Sequence, residues 1–293
     1  AGHQVTVVSG GEAVPQFEFE GATLVQLPAI KAADAQFSAL VDSSNGPLTE
    51  SFKQQRCGAL LSAVAEAKPD VVVIENYPFG RRQLRWELRP LLAAITEMDN
   101  RPLVVSSIRD ILQVRKPERV AETLTLLEEY FDYVMVHGDE DFIPLQQSFP
   151  VADSLRGKLV YTGYVTDRKS SFSAASTKKA QSPSSGDGQH EVLVSAGGGA
   201  VGFRLMKAAL LCKPHSPLAH LTWRLLLGPN LMELERQELQ KLADSGCILE
   251  PIRPDFTELL SVCRLSISQA GYNTVMDILA ADCPSVLVPF EGS

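Results

Sequence analysis

Two glycine-containing turns carry residues that could bind an anion. The first spans Ser195 to Gly202, contains three consecutive glycines, follows a predicted strand and precedes a predicted helix. Glycines let backbone N–H groups approach a phosphate, and a helix N-terminus carries a partial positive charge. The spacing matches neither the dinucleotide-binding pattern nor the P-loop. A tight structural turn is the alternative interpretation.

The second turn lies between Ser268 and Leu279, again between a predicted strand and a predicted helix. Gly271 and Asn273 tolerate unusual backbone angles, and Asn273 or Thr274 could cap the helix. Two such turns in one domain suit a diphosphate that lies across the carboxyl ends of a sheet. Asp277, about one turn into the helix, could accept hydrogen bonds from sugar hydroxyls. Its alternative role is that of a surface acid that complements the helix dipole.

The elements that must position these turns alternate between strand-like and helix-like segments. Apolar runs predict strands that begin at Gln4, Thr23, Val71, Leu103, Tyr133, Lys158, Glu191, Leu221, Cys247, Leu265 and Ser285. Helical spacing fills most of the intervals between them. The alternation predicts an α/β protein with two doubly wound domains. Their predicted bounds are residues 1–165 and 191–293, joined by a serine-rich linker or mobile loop over 166–190.

The run Val71–Glu75 is nearly continuous in apolar residues, which predicts a parallel strand that is buried on both faces. Three polar residues stand where predicted strands of the first domain end, the position of active sites in open α/β sheets. They are Glu75, Asp110 and His137, and each is a candidate general base. An exposed turn acid and a structural histidine are the alternatives for Glu75 and His137.

Bulk composition excludes several classes of protein. The net charge of −8 argues against a nucleic-acid partner, which needs a concentrated basic surface. No apolar run is long enough to cross a bilayer, and no basic segment precedes the first apolar run as in a signal peptide. The five cysteines have no CxxC spacing, so they predict reduced cytoplasmic thiols and no structural zinc. We therefore expect a cytoplasmic location.

The segment from Ser268 to Pro289 resembles the carboxyl-terminal domain of glycosyltransferase family 28. That family carries Gly-x-x-Thr-x-x-Glu after a small-residue turn, then an alanine-rich helix, Gly-x-Pro and a strand that ends in Val-Pro. This chain has Gly271 and Thr274, with Asp277 in place of the glutamate. It also has Ala280-Ala281, Asp282 for the glycine, Pro284 and Val288-Pro289. Asp277 is one methylene shorter than the residue that contacts the ribose in the family.

The resemblance implies the GT-B fold, in which two Rossmann-like domains face each other across a cleft. It implies a UDP-sugar donor, a hexose such as N-acetylglucosamine, an inverting reaction, no metal and no further cofactor. The glycine-rich loop resembles the family's phosphate loop, and Ile252 resembles its uracil-contacting position. The donor contacts that the resemblance implies are Gly197, Gly198, Gly199, Ile252, Ser268, Gln269, Ala270, Gly271, Tyr272, Asn273, Thr274 and Asp277.

The ends of the sequence resemble the interior of a family member. Ala1-Gly2-His3 resembles the capped end of a helix, and the strand that begins at Ser285 is followed by only a few residues. We therefore expect a fragment that is truncated at both ends and lacks the family's histidine-containing loop, where the base is expected. The resemblance thus places the catalytic base outside the sequence, and Glu75, Asp110 and His137 are the candidates within it.

Two other functions remain open. A UDP-sugar 2-epimerase shares the two-domain architecture, although its pattern of acids and histidine is not found. A non-catalytic nucleotide-sugar-binding protein is the other. The acceptor is a glycan, lipid or small molecule of unknown identity. A lipid acceptor would call for peripheral contact with the inner face of the membrane, to which aromatic residues of the first domain such as Tyr77 and Phe79 could contribute.

Overall fold

The structure is a computed structural model. It describes residues 2–13, 21–33, 39–113, 116–165, 186–196, 202–228 and 231–289. The chain divides into two compact units, Ala1–Tyr164 and Val165–Ser293. The predicted linker over residues 166–190 lies outside the described residues except for its last five. Within the described ranges, no helix is both long and apolar enough to cross a membrane.

In the described part of the first unit, four strands precede the first helix, and strands and helices alternate after it as far as the strand Tyr133–His137. Its strands are β1 (Val5–Ser9), β2 (Ala22–Gln26), β3 (Ile30–Ala32), β4 (Leu40–Asp42), β5 (Val71–Glu75), β6 (Leu103–Arg109), β7 (Tyr133–His137) and β8 (Leu159–Tyr161). Its helices are α1 (Glu50–Ala67), α2 (Arg85–Thr96) and α3 (Pro117–Tyr130), with 3-10 turns at Arg82–Leu84, Leu145–Gln147 and Ala152–Leu155. Strands β5 to β8 form a parallel sheet in chain order. β1 pairs with β2 in parallel, and β3 pairs with β4 in antiparallel orientation.

One face of the β5–β8 sheet is packed against helices. Ile74 of β5 and Val104 of β6 lie in a core with leucines of α1, α2 and α3. On the opposite face, Val71 and Val73 are 47% and 53% exposed. The prediction that β5 is buried on both faces is therefore wrong. Alternate side chains of a strand point to opposite faces, and the described helices cover only one of them.

A buried ion pair joins the first two helices of this unit. Arg56 of α1 contacts Glu87 of α2, with Nε 2.6 Å from Oε2, and both residues are 2% exposed. The same guanidinium donates to the carbonyl oxygens of Gly10 and Pro28, which follow β1 and β2. A Cβ at Gly10 would overlap Arg56 Nη2, so this close approach favours glycine. The arginine thus ties four segments together.

The second unit has five parallel strands with helices between them. The strands are β9 (Val192–Ser195), β10 (Trp223–Leu227), β11 (Cys247–Pro251), β12 (Leu265–Gln269) and β13 (Ser285–Val288). The helices are α4 (Phe203–Cys212), α5 (Glu233–Leu242), α6 (Phe256–Val262) and α7 (Tyr272–Ala280), with a 3-10 turn at Lys213–His215. The strands lie in the order β11-β10-β9-β12-β13. All neighbouring pairs are parallel.

Both faces of this second sheet are covered, which is the doubly wound arrangement. Val194 and Leu225 pack against Met206 of α4 and Leu239 of α5 on one face. Leu193 packs on the other face in a cluster with leucines of α6 and with Ile278 of α7. The near-continuous apolar sequences of β9 and β10 follow from this two-sided burial.

Candidate functional site

The strand order of the second unit brings the two predicted anion-binding turns together. The chain adds β10 and β11 on one side of β9 and then β12 and β13 on the other, so the direction of winding reverses between β9 and β12. Ser195 at the end of β9 lies beside Ser268 of β12 in the parallel register. Ligands of open α/β sheets bind outside the carboxyl ends of the strands at such a switch point.

Three serine hydroxyls join the two strands just below these turns. Ser268 Oγ lies 2.9 Å from Ser195 Oγ and 2.8 Å from Ser266 Oγ, and Ser268 is fully buried. The Ser268 hydroxyl therefore holds the ends of β9 and β12 in register rather than facing outward. Its predicted donor contact stays a prediction. The alternation of serines in β12 is a signal in the sequence that could have indicated this pairing.

The turn from Gln269 to Gly271 has already used two of its backbone donors. The N–H of Ala270 donates to the Val288 carbonyl at 2.9 Å, and the N–H of Gly271 donates to the Gln269 carbonyl at 2.7 Å. Helix α7 begins at Tyr272 with Gly271 as its N-cap, so the prediction of a cap at Asn273 or Thr274 is wrong. Gly271 has the extended backbone of a cap, so Asn273 and Thr274 lie inside the first helical turn.

The first turn of α7 is therefore the part of this segment that faces outward at the switch point. Gly271 and Asn273 are exposed, whereas Tyr272, Thr274 and Asp277 are half-buried. A Cβ at Gly271 would meet only Thr274 Oγ1, at 3.9 Å, so the space beside this residue is open. The surface at the α7 N-terminus can therefore accept a close approach by a ligand.

Gly202 permits close packing where α4 begins. A Cβ on Gly202, the N-cap of α4, would lie 2.8 Å from the Cβ of Ala196, just after β9. This glycine has the packing role that lets a helix start close to the preceding strand. The predicted contacts Gly197, Gly198 and Gly199, between these two residues, lie outside the described residues.

A buried arginine fixes the end of β11, where Ile252 emerges. Arg224 of β10 is 3% exposed, with Nε 2.6 Å from Glu191 Oε2 and Nη1 2.7 Å from Glu250 Oε1. Hydrogen bonds to Glu191 and Glu250 raise the pKa of Arg224 above its ordinary value, against the effect of burial. Ile252 donates its N–H to the Leu227 carbonyl, and its side chain is 49% exposed at the carboxyl edge of the sheet.

The first unit gathers two of the catalytic candidates on one face of its sheet. Glu75 of β5 lies beside Ser107 of β6 in the register, and the Ser107 hydroxyl lies 2.7 Å from His137 Nε2. His137 Nδ1 lies 2.8 Å from Thr162 Oγ1. Burial lowers the pKa of His137 below its ordinary value, and the Arg109 charge lowers it further. The imidazole is therefore neutral at neutral pH.

The other two candidates differ in their surroundings. Glu75 is exposed, and its Oε2 lies 2.6 Å from Arg81 Nη2. Asp110 is 2% exposed, and its carboxylate accepts hydrogen bonds from the Ile111 N–H and the Tyr164 hydroxyl. Among the three, Asp110 thus has the environment of a structural acid. No observation tests the catalytic assignments, which stay predictions.

Comparison with known proteins identifies the second unit. Residues 193–293 match the model of the glycosyltransferase family 28 C-terminal domain. No curated protein sequence matches the chain. The resemblance that the segment from Ser268 to Pro289 predicts is confirmed.

Solved structures show which fold the two units form. The calicheamicin glycosyltransferase CalG4 is 17% identical, with a TM-score of 0.51 over 98% of this chain and 72% of that one. MurG from Acinetobacter baumannii is 15% identical, with a TM-score of 0.51 over 99% and 70%. UGT71G1 from Medicago truncatula, solved with UDP-glucose, is 12% identical, with a TM-score of 0.55 over 98% and 73%. Residues 193–293 thus carry the match to the glycosyltransferase family 28 C-terminal domain, and the chain is a glycosyltransferase with the GT-B fold.

Proposed function

We propose that this chain transfers a hexose from a UDP-sugar to an acceptor hydroxyl, with inversion at the anomeric carbon. The observation that carries the proposal is the switch point between β9 and β12, the adjacent strands that precede the two predicted glycine-containing turns. The family match over residues 193–293 supports glycosyl transfer. The presence of UDP-glucose in the UGT71G1 structure supports a uridine nucleotide.

The donor would lie along the carboxyl edge of the second sheet. Its diphosphate would meet the positive end of α7, which stabilises the charge that grows on the leaving UDP. Asp277, in the second turn of α7, would accept hydrogen bonds from the ribose hydroxyls. Ile252, exposed where β11 ends, would pack against the uracil. We propose that this arrangement works without a metal, because helix dipole and backbone donors supply the positive field.

A general base must take the proton of the acceptor hydroxyl. Of the three candidates, His137 has the environment that best suits the role, because its lowered pKa keeps the imidazole unprotonated. Its Nε2 contacts the Ser107 hydroxyl, and an acceptor hydroxyl would have to take that place. Replacement of His137 by glutamine should lower kcat while the KM for the donor stays unchanged. An unchanged kcat would assign the proton to another group.

Calorimetric titration with UDP and with UDP-sugars tests the donor assignment. Wild-type protein should bind UDP, with adenosine diphosphate as the control for base selectivity. The Asp277→Ala variant should bind UDP at least about tenfold more weakly, since a charged hydrogen bond contributes about 1.5–3 kcal/mol. Glu258→Ala removes an exposed acid from α6 of the same unit and should bind UDP as the wild type does. Equal UDP affinity in both variants would contradict the ribose assignment.

An activity assay separates the proposed function from its two alternatives. Incubation with UDP-N-acetylglucosamine and a mixture of acceptor glycans and lipids should release UDP in an acceptor-dependent manner. Conversion of the sugar to its 2-epimer would instead support an epimerase. Tight UDP binding with neither product would support a non-catalytic binding protein.

A further inference from the structure

A small pocket in the first unit has four arginines among its lining residues. It lies between the loop that follows β5 and the first turns of α3, and it has a volume of about 50 Å³. Because one water molecule needs about 10–15 Å³ of such a cavity, the pocket has room for roughly four water-sized groups. Its charged lining consists of Arg81, Arg82, Arg85, Arg119 and Glu122. Four guanidinium groups therefore surround a space the size of a small anion.

The acids near this pocket neutralise only some of these charges. Glu122 Oε2 lies 2.9 Å from Arg82 Nη2, and its other oxygen lies 2.7 Å from Nη2 of Arg89. Arg81 is held by Glu75. Within the described part of the chain, the guanidinium groups of Arg85 and Arg119 form no ion pair or hydrogen bond. The pocket thus has an excess of positive charge that a ligand can neutralise.

The wall that carries Arg81 and Arg82 is held in place by its backbone. Tyr77 is 2% exposed, and its carbonyl accepts a hydrogen bond of 2.8 Å from the Ser106 hydroxyl. Phe79 packs edge-on against Phe149, with 5.2 Å between the ring centroids. The arginines therefore extend from a fixed loop, which lowers the cost of ordering them around a ligand.

The walls of the pocket belong to the loop that follows β5 and to α3, which follows β6. Segments that follow parallel strands begin at the carboxyl edge of the sheet, where ligands of open α/β sheets bind. We propose that this pocket binds the phosphate group of a phosphorylated ligand. Arginine suits that group because its planar fork donates two parallel hydrogen bonds to phosphate oxygens. Identification of the ligand as a phosphorylated acceptor rests on the proposed function, whereas phosphate binding itself does not.

The test compares two double variants that lose the same charge. R85Q/R119Q removes the two unpaired guanidinium groups, and R156Q/R236Q removes two others that lie outside the pocket lining. Each protein is titrated calorimetrically at low ionic strength with inorganic phosphate, glucose 1-phosphate and UDP. Circular dichroism verifies that every variant is folded. Wild type and R156Q/R236Q should bind phosphate and glucose 1-phosphate, and R85Q/R119Q should bind both at least about tenfold more weakly. UDP affinity should be the same in all three.

A vesicle assay distinguishes the two sources of the phosphate. If the ligand is a lipid headgroup, wild type should sediment with phosphatidylglycerol vesicles but not with phosphatidylcholine vesicles, and R85Q/R119Q should lose this binding. If the ligand is soluble, neither kind of vesicle should retain the protein although glucose 1-phosphate binds. Equal phosphate affinity in wild type and R85Q/R119Q, or no binding by wild type, would overturn the proposal. Loss of UDP affinity in R85Q/R119Q would also overturn it, whereas failure of every protein to bind UDP would contradict only the proposed donor.

Discussion

Removal of the buried Arg56 should destabilise the first unit strongly. Its guanidinium meets the Glu87 carboxylate at 2.6 and 3.2 Å and donates to the carbonyl oxygens of Gly10 and Pro28. Arg56→Met keeps much of the side-chain volume but leaves a carboxylate buried without a counter-charge. Loss of one partner of a buried pair costs about 3–5 kcal/mol. The free energy of unfolding of this unit should fall by that amount.

The cost should shrink when both partners are removed. In Arg56→Met/Glu87→Leu, no charge is left buried, and the remaining loss is that of donors to two carbonyl oxygens, about 1–3 kcal/mol. The double variant should thus be more stable than the Arg56→Met variant. Arg101→Met breaks a partly exposed pair with Asp132 in the same unit and should cost less than about 1 kcal/mol.

Urea unfolding followed by tryptophan fluorescence measures these differences. The chain has two tryptophans, Trp86 in α2 and Trp223 in β10, so a Trp223→Phe background leaves a reporter next to Glu87. A loss below about 1 kcal/mol in Arg56→Met would refute the reasoning. So would a double variant that is less stable than the single one, because both results would mean that the pair is not buried as a unit.

Three further changes probe the sheet ends and the site. Gly271→Ala should lower the free energy of unfolding by less than about 1 kcal/mol, since its methyl group enters open space. It should nevertheless weaken UDP binding measured by calorimetry, and an unchanged UDP affinity would place the donor elsewhere. Gly202→Val should lower the melting temperature because its side chain would overlap Ala196, and a stable variant would contradict that packing. The lowered pKa of His137 means that the unfolded chain binds a proton at higher pH than the folded one, so stability is full above about pH 6.5 and falls as pH drops below it. In His137→Asn, the free energy of unfolding, measured by urea titration between pH 7.5 and 5.5, should fall less steeply than in the wild type. An unchanged pH dependence would assign the loss of stability to another group.

Local sequence patterns predicted the regular elements of both units. Apolar runs ended by proline, glycine or polar residues indicated β5 and β7 with the bounds that the structure has. The hairpin of β3 and β4 was not predicted. Its strands have three residues each, and Lys31 and Asp42 interrupt any apolar run. Burial of β5 on both faces was predicted wrongly, because a row of valines does not reveal which neighbours cover each face.

The candidate site was predictable to the extent that it depends on local turns. Small residues after an apolar strand indicated the turn before α7, and the resemblance identified the donor domain. The contact between Ser195 and Ser268 depends on a sheet order in which β9 and β12 are neighbours although β10 and β11 intervene in the sequence. Arg81 and Arg82 are adjacent in the sequence, which indicated either contact with an anionic acceptor or solvated side chains. The pocket itself was not predicted, because Arg85 and Arg119 join them only through the packing of α2 and α3.

The central claim is that a UDP-sugar binds at the switch point between β9 and β12. Hydrogen–deuterium exchange, measured by mass spectrometry with and without saturating UDP, tests this claim most directly. UDP should slow exchange in peptides that contain the first two turns of α7, from Tyr272 to Asp277, and in peptides that contain the start of α4. It should leave peptides of α1 and α5 unchanged. Unaltered exchange at α7 in the presence of bound UDP would contradict the account.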